Sequence, residues 1–412
     1  MKEVEVLSPA GDFESLKSAV LYGADAIYLG GEIFGMRAGA KNFSFGMLEK
    51  AVLFSHEHNV KVYLTCNTIP TNEEVDMLED FLKKAEEIGV DALIVADLGI
   101  IFEIKKLGIK IPLHISTQFG VMNYKTANAL YQLGAKRIVL ARELSLNEIK
   151  IIREKTPKDL ELECFVHGAV CMSVSGRCLI SSYLTNRNAN RGKCAQPCRW
   201  KYNLVEEKRP NEFYPVLEDE NGSYILNCKD LCLIEYLDKL YEAGICSFKI
   251  EGRAKSSYYV SVVTNAYKMA AEILKKSLNE NTKYILPKEI KEELYKISHR
   301  HYHTGFLLGK PKDGQFYENG GYVREYNVVG FVVAIFEKEL LCKQKNKFSV
   351  GEEIEILSPG EMLFSFKVSR LFDEEKKEIE SVKNSEMLFY LPFDTTEKVA
   401  VGSIIRKKLE KQ

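Results

Sequence analysis

Four cysteines crowd into one stretch of this chain. Cys171 and Cys178 enclose six residues, Cys194 and Cys198 enclose three, and Gly192 and Pro197 flank the second pair. Thiolates so placed are soft ligands for zinc or an iron–sulfur cluster, and nearby glycines permit the turns that wrap one. Zinc ribbons prefer knuckles with two intervening residues, a spacing absent here, so Cys171, Cys178, Cys194 and Cys198 read better as cluster ligands. Cys228 is a further candidate ligand, whereas Cys232 sits at what reads as the start of an amphipathic helix. Cys66, Cys164, Cys246 and Cys342 lie in or beside apolar runs and read as packing residues. The same stretch is basic. Arg187, Arg191, Lys193, Arg199 and Lys201 occur without an intervening acid, beside Trp200, the chain's single tryptophan. Cations for phosphates and a ring for bases make this an RNA-contact candidate.

Short apolar runs alternating with amphipathic segments must position these residues. Strands are expected at Val4–Leu7, Ala26–Leu29, Lys61–Thr65, Ala92–Ala96, Leu113–Ser116, Arg137–Ala141, Leu160–Val166 and Ser247–Ile250. Helical patterns fall between them, including one over Glu73–Ile88. Eight strands with helical crossovers predict an α/β fold, a (β/α)8 TIM-like barrel spanning residues 1–280. The cysteine-rich stretch is an insertion at about 168–245, since the interval before the eighth strand is too long for a plain crossover. A helical connector is expected at 281–325. A small C-terminal all-β barrel is expected at 326–412, with strands at Val328–Ala334, Leu340–Cys342, Glu353–Leu357, Leu363–Val368 and Val399–Ile405.

Parallel barrels gather their chemistry at the C-terminal strand ends. Those ends carry Asn67, Gln118, Arg142, Glu143, His167 and Arg253. Two arginines in such a ring describe a pocket for a small anionic substrate, because guanidinium binds carboxylates through paired hydrogen bonds. Asn67, Gln118, Arg142 and Arg253 are the expected substrate-binding residues. His167, Arg142 and Glu143 are the expected catalytic ones, with His167 able to carry a proton near neutral pH.

The 412 residues hold 57 Lys+Arg against 58 Asp+Glu, with 46% hydrophobic residues. That balance excludes wholesale disorder and a uniformly basic nucleic-acid coat. The sequence has no run apolar and long enough to span a membrane and no signal-peptide core, so a cytoplasmic protein with reduced thiols is expected. No nucleophile elbow and no zinc-protease motif occurs.

The segment Glu163–Cys178 resembles the signature of peptidase family U32, the collagenase-like proteases. The resemblance extends through Leu7–Asp12, Gly23–Tyr28, Ser116–Gln118, Arg142–Leu146, Asn190–Gly192, Lys229–Leu231, Phe248–Arg253 and His299–Phe306. It implies a [4Fe–4S] protein that hydroxylates RNA with prephenate as oxygen donor and depends on iron–sulfur assembly machinery. The motif set is most similar to the branch forming 5-hydroxyuridine at the tRNA wobble position. Sibling branches act on ribosomal RNA or a quinone precursor, and a U32-type peptidase is the other alternative. Carried over by position, Cys171, Cys178 and Cys194 match cluster ligands. The fourth matches Cys198 in the RNA branches and Cys228 in a quinone branch.

Overall fold

The computed structural model describes residues 3–35, 42–170, 180–185, 187, 193–197, 218–219, 222–223, 229–309, 322–361, 364–393 and 399–409. Eight strands form its centre: β1 (Glu5–Pro9), β2 (Ala26–Gly30), β3 (Lys61–Cys66), β4 (Ala92–Val95), β5 (Leu113–Ile115), β6 (Ala135–Val139), β7 (Glu161–Gly168) and β8 (Ile245–Ile250). Each pairs in parallel with the next, and β8 also pairs in parallel with β1, Val6 facing Phe248. The β8–β1 pairing closes the ring, so the TIM-like barrel holds over an open sheet. All eight expected strands are present.

Strand residues pointing outward, such as Val6, Ile27, Leu64 and Phe248, pack against helix residues such as Leu16, Ala51, Leu82 and Val263 in one continuous core. Burial on both faces explains why these strands read as nearly unbroken apolar runs. The interior has two characters. Leu7, Ala26, Tyr28, Tyr63, Ala92 and Ile94 form an apolar cluster. Beside it lies a buried ionic network. Arg137 on β6 pairs with Glu5 on β1 and with Glu163 on β7 at 3.1 Å. Lys249 on β8 pairs with Glu163 at 2.8 Å, and Tyr63 donates its hydroxyl to Glu5 at 2.7 Å. Ser247 donates to Glu5 at 2.9 Å.

Several local expectations change. The helix over 73–88 is two helices, Asn72–Val75 and Leu78–Ile88. A capping box at Thr71 and Glu74 starts the first; the second turns Leu78, Phe81, Leu82 and Ala85 inward. Cys232 ends a short strand, Asp230–Cys232, instead of starting a helix. That strand runs antiparallel to the end of β7 and pairs in parallel with Tyr302–His303, so the connector adds backbone to the barrel sheet.

The C-terminal unit is all-β, an antiparallel sheet curled around Val332, Leu340, Ile354, Phe389 and Ile405. A further strand, Leu388–Pro392, was not anticipated from the sequence. The last strand lies at Ile404–Lys408 rather than Val399–Ile405. Fully buried Arg406 fastens this sheet to the barrel, reaching Glu355 at 2.8 Å, Glu293 at 2.6 Å and the Tyr258 hydroxyl at 3.3 Å. Among the described residues no helix is long and apolar enough to cross a membrane.

Candidate functional site

The mouth is built from the C-terminal ends of β3, β5, β6, β7 and β8. The turn after β6 carries Arg142 and Glu143, and ends where Ser145 caps helix Leu146–Glu154 through a capping box with Glu148. Arg142 lies over Phe165, its guanidinium carbon 3.9 Å from the ring centroid. Its Nη1 donates to the Ala169 carbonyl at 2.9 Å and its Nη2 to Glu251 at 3.2 Å. The side chain is 12% exposed. Glu143 is half-buried beside it.

Strand β8 and its exit supply an inward column: Ser247, Lys249, then Glu251 and Arg253. Lys249 holds Glu163 and lies 4.5 Å from the Tyr28 ring centroid. Arg253 is 3% exposed and donates to Thr65 Oγ1 on β3 at 2.9 Å. Its guanidinium lies across Gly30 of β2, where a Cβ would fall 2.2 Å from Nη1. Glycine at that strand end is therefore what admits the arginine. On the far rim, Asn67 donates to Ser116 Oγ at 3.2 Å, and the same oxygen accepts the Gln118 backbone N–H at 3.2 Å.

The structure thus gathers Asn67, Gln118, Arg142, Glu143 and Arg253 at one end of the barrel. His167 is at that end in sequence but turns elsewhere. It is 1% exposed, with ring neighbours Tyr267 and Tyr259 on the helix Ser257–Glu280 and Tyr302 on the connector. Its Nδ1 lies 3.4 Å from the Tyr267 hydroxyl. Burial, with the charges of His299 and Lys255, lowers its pKa to about 3, so it is neutral at physiological pH rather than poised to titrate. A base whose folded pKa lies below its unfolded value favours the unfolded state as it protonates. Stability from this group is complete above about pH 6.5 and falls as pH drops toward the folded value. His167→Gln should reduce the slope of unfolding free energy between pH 5 and 6 by about 1 kcal/mol per pH unit, measured by urea denaturation; an unchanged slope would show that His167 is not neutral in the fold.

Of the expected cluster ligands, Cys194 is described. It is half-buried, and its Sγ accepts the Gln196 backbone N–H at 3.3 Å. Cys171, Cys178 and Cys198, and the alternative Cys228, lie outside the described residues, as do Arg191, Arg199 and Lys201. Arg187 and Lys193 are exposed. The cysteines read as packing residues, Cys66, Cys164, Cys246 and Cys342, are buried. Burial pushes the thiols of Cys66, Cys164 and Cys342 up and makes them inert.

Phe165, Thr65, Lys249 and Gly30 complete the mouth and were missed in the sequence. A signal exists for Lys249: Ser247, Lys249 and Glu251 alternate with Cys246, Phe248 and Ile250. A polar residue at every second position of a buried strand marks its barrel-facing side. Chemically, the cations Arg142, Lys249 and Arg253 lie among the carboxylates Glu143, Glu163 and Glu251, two of which are already ion-paired, so any ligand there is oriented by directed hydrogen bonds rather than by net charge.

Known proteins resemble this chain over most of its length. The model for Peptidase family U32 matches residues 11–316, and that for the Peptidase family U32 C-terminal domain matches residues 324–406. The chain is 35% identical to tRNA hydroxylation protein P1 of Bacillus subtilis, over 98% of this chain and 95% of that one. It is 42% identical to an uncharacterized protease of Methanocaldococcus jannaschii, over 87% of each chain. It is 39% identical to a 23S rRNA 5-hydroxycytidine synthase of Escherichia coli, over 66% of this chain and 40% of that one.

Proposed function

The chain belongs to peptidase family U32, and from that premise we propose that it is an RNA-modifying hydroxylase that forms 5-hydroxyuridine at the tRNA wobble position. Relatives named for tRNA hydroxylation and for 5-hydroxycytidine synthesis in ribosomal RNA support RNA as the substrate. The observation that carries the reading is a juxtaposition. The barrel end that holds Arg142 and Arg253 is where β7 ends, and the Ala169 carbonyl held by Arg142 lies two residues before Cys171.

The donor chemistry fits an iron–sulfur cluster: four cysteines in one segment, with the described one, Cys194, accepting an N–H bond of the kind that stabilises a thiolate. Cys171, Cys178, Cys194 and Cys198 would hold a [4Fe–4S] group, which supplies electron transfer when bound. The chain's own residues do the rest. Arg253, with Asn67 and Gln118 across the rim, binds a small dicarboxylate, prephenate by the family resemblance. Glu143, in the turn after β6, is the group assigned to proton exchange. Arg187, Arg191, Lys193, Arg199 and Lys201 hold RNA phosphates beside the cysteines. His167 supports this end of the barrel as a neutral, buried group. The protein would work in the cytoplasm and receive its cluster from the iron–sulfur assembly machinery.

Relatives named as proteases make peptide hydrolysis the second reading. Against it, His167 is buried among tyrosines, unlike a base exposed to a substrate. The deciding experiment is mass spectrometry of tRNA nucleosides from cells deleted for this protein and complemented with variants. Deletion should remove 5-hydroxyuridine and nucleosides built on it. Arg253→Lys should restore them poorly, with activity down about 10- to 100-fold, because lysine cannot reproduce a paired guanidinium–carboxylate contact. Unchanged nucleosides after deletion, with gelatin cleavage by the purified protein, would establish the peptidase instead.

A further inference from the structure

Arg142 was expected to bind a ligand carboxylate, but each of its Nη atoms already bonds within the protein. Five contacts converge where it sits. Its Nη1 holds the Ala169 carbonyl, its Nη2 holds Glu251, and its plane lies on Phe165. The Glu251 backbone N–H donates to the His167 carbonyl at 2.9 Å, and the Glu251 carbonyl accepts the Tyr259 hydroxyl at 2.9 Å. Gly168 lies between, at φ 104°, where a Cβ would fall 2.6 Å from the Glu251 carbonyl oxygen. Any side chain would therefore push β7 and the β8 exit apart. Leu231 of the short strand also pairs with Gly168 from the other side.

We propose that Arg142, with Glu251, is a positioning residue that fixes the root of the cysteine segment against the mouth rather than a receptor for the anionic ligand. The geometry argues for a joint. A receptor for an incoming carboxylate presents its paired N–H edge to open space. Here Glu251 holds Nη2, and the neighbouring Nε is buried with no partner among the described residues. A single arginine ties together the ends of β6, β7 and β8, at the last residues before the segment that carries Cys171. Aromatic stacking on Phe165 fixes the plane of the guanidinium, so both bonds keep their directions. Lysine at this position cannot hold Ala169 and Glu251 in that fixed geometry while covering Phe165.

The spectroscopic part of the test rests on the cluster reading; the backbone part does not. Hydrogen exchange over residues 166–170 is measured in cluster-free protein for the wild type, Arg142→Lys and Glu251→Gln, with thermal unfolding as the check on global folding. Both variants should exchange about tenfold faster there, the expected loss for a charge-assisted hydrogen bond, with the rest of the barrel unchanged. The double variant should be little worse than either single one, because the two residues act as a unit. After anaerobic reconstitution both variants should retain iron but shift the electron paramagnetic resonance signal of the reduced protein. Titration with prephenate should show binding close to wild type in Arg142→Lys and a large loss in Arg253→Lys. Unchanged exchange in both variants overturns the proposal, whatever happens to prephenate affinity. Failure of the wild type to bind prephenate or to hold iron would refute those parts of the functional reading and leave the exchange result to decide the joint.

Discussion

Serine in place of Cys171, Cys178 or Cys194 should yield protein purified anaerobically without iron, lacking the broad thiolate-to-iron absorption and lacking tRNA hydroxylation. A thiolate is soft and readily ionised; a serine hydroxyl is neither, so each replacement removes a ligand that no neighbour can supply. The loss should exceed the roughly 10- to 100-fold that changes to residues around a metal typically cost. Cys198→Ser and Cys228→Ser separate the two candidates for the fourth ligand, since the variant that keeps its iron is not the ligand. Iron analysis with the absorption spectrum decides. Full iron in all three of the first variants would end the cluster assignment, and stoichiometric zinc in colourless wild type would redirect the chemistry toward a Lewis acid.

The second large effect lies inside the barrel. Arg137→Leu should destabilise the protein by about 3–5 kcal/mol, because it leaves buried carboxylates without their cation. The accompanying pH dependence gives a sharper check. Burial raises the Glu5 carboxyl pKa, but the Arg137 charge and hydrogen bonds from Arg137, Tyr63 and Ser247 outweigh it and hold the pKa below its ordinary value. A depressed carboxylate stabilises the fold fully above its unfolded pKa, and that contribution is lost as pH falls through the folded one. In the wild type the loss from Glu5 therefore comes only in acid, below about pH 4.5. Without Arg137 the burial effect dominates, the Glu5 pKa rises, and the sign reverses: the variant should gain stability as pH is lowered from 8 toward 5. Urea denaturation at pH 5, 6, 7 and 8 tests this. A variant with the wild-type pH profile would show that Glu5 does not depend on Arg137.

The ionic network bears on how an enzyme of this fold holds its mouth open. Glu163 bridges Arg137 at one level of the barrel and Lys249 at the next. Lys249 in turn lies under Phe165, 5.5 Å from its ring centroid, and Phe165 carries Arg142. The charged interior is thus continuous by contact with the site above it.

The eight barrel strands were legible in the chain because each is an apolar run of limited length bounded by turn residues, a local property that burial on both faces imposes. The cysteine spacing is likewise a local property of one segment, and the metal-ligand role proposed from it awaits the iron analysis above. The ring of polar residues followed from the strand ends, because a parallel barrel collects those ends on one face whatever the details of packing. Direction was not legible. Arg142 and His167 both follow barrel strands and both read as facing a ligand, yet one binds the backbone of Ala169 and the other turns among Tyr259, Tyr267 and Tyr302. Their neighbours come from β8, the long helix after it and the connector, up to 135 residues away in the case of Tyr302 from His167. Cys232 went the same way: its local pattern suits a helix start, but pairing with β7 makes it a strand. The sequence alone determined the barrel, the all-β C-terminal unit and the chemistry available at the mouth. Tertiary packing decided what each of those side chains bonds to, because a charged group at a strand end bonds to whatever the distant segments place beside it.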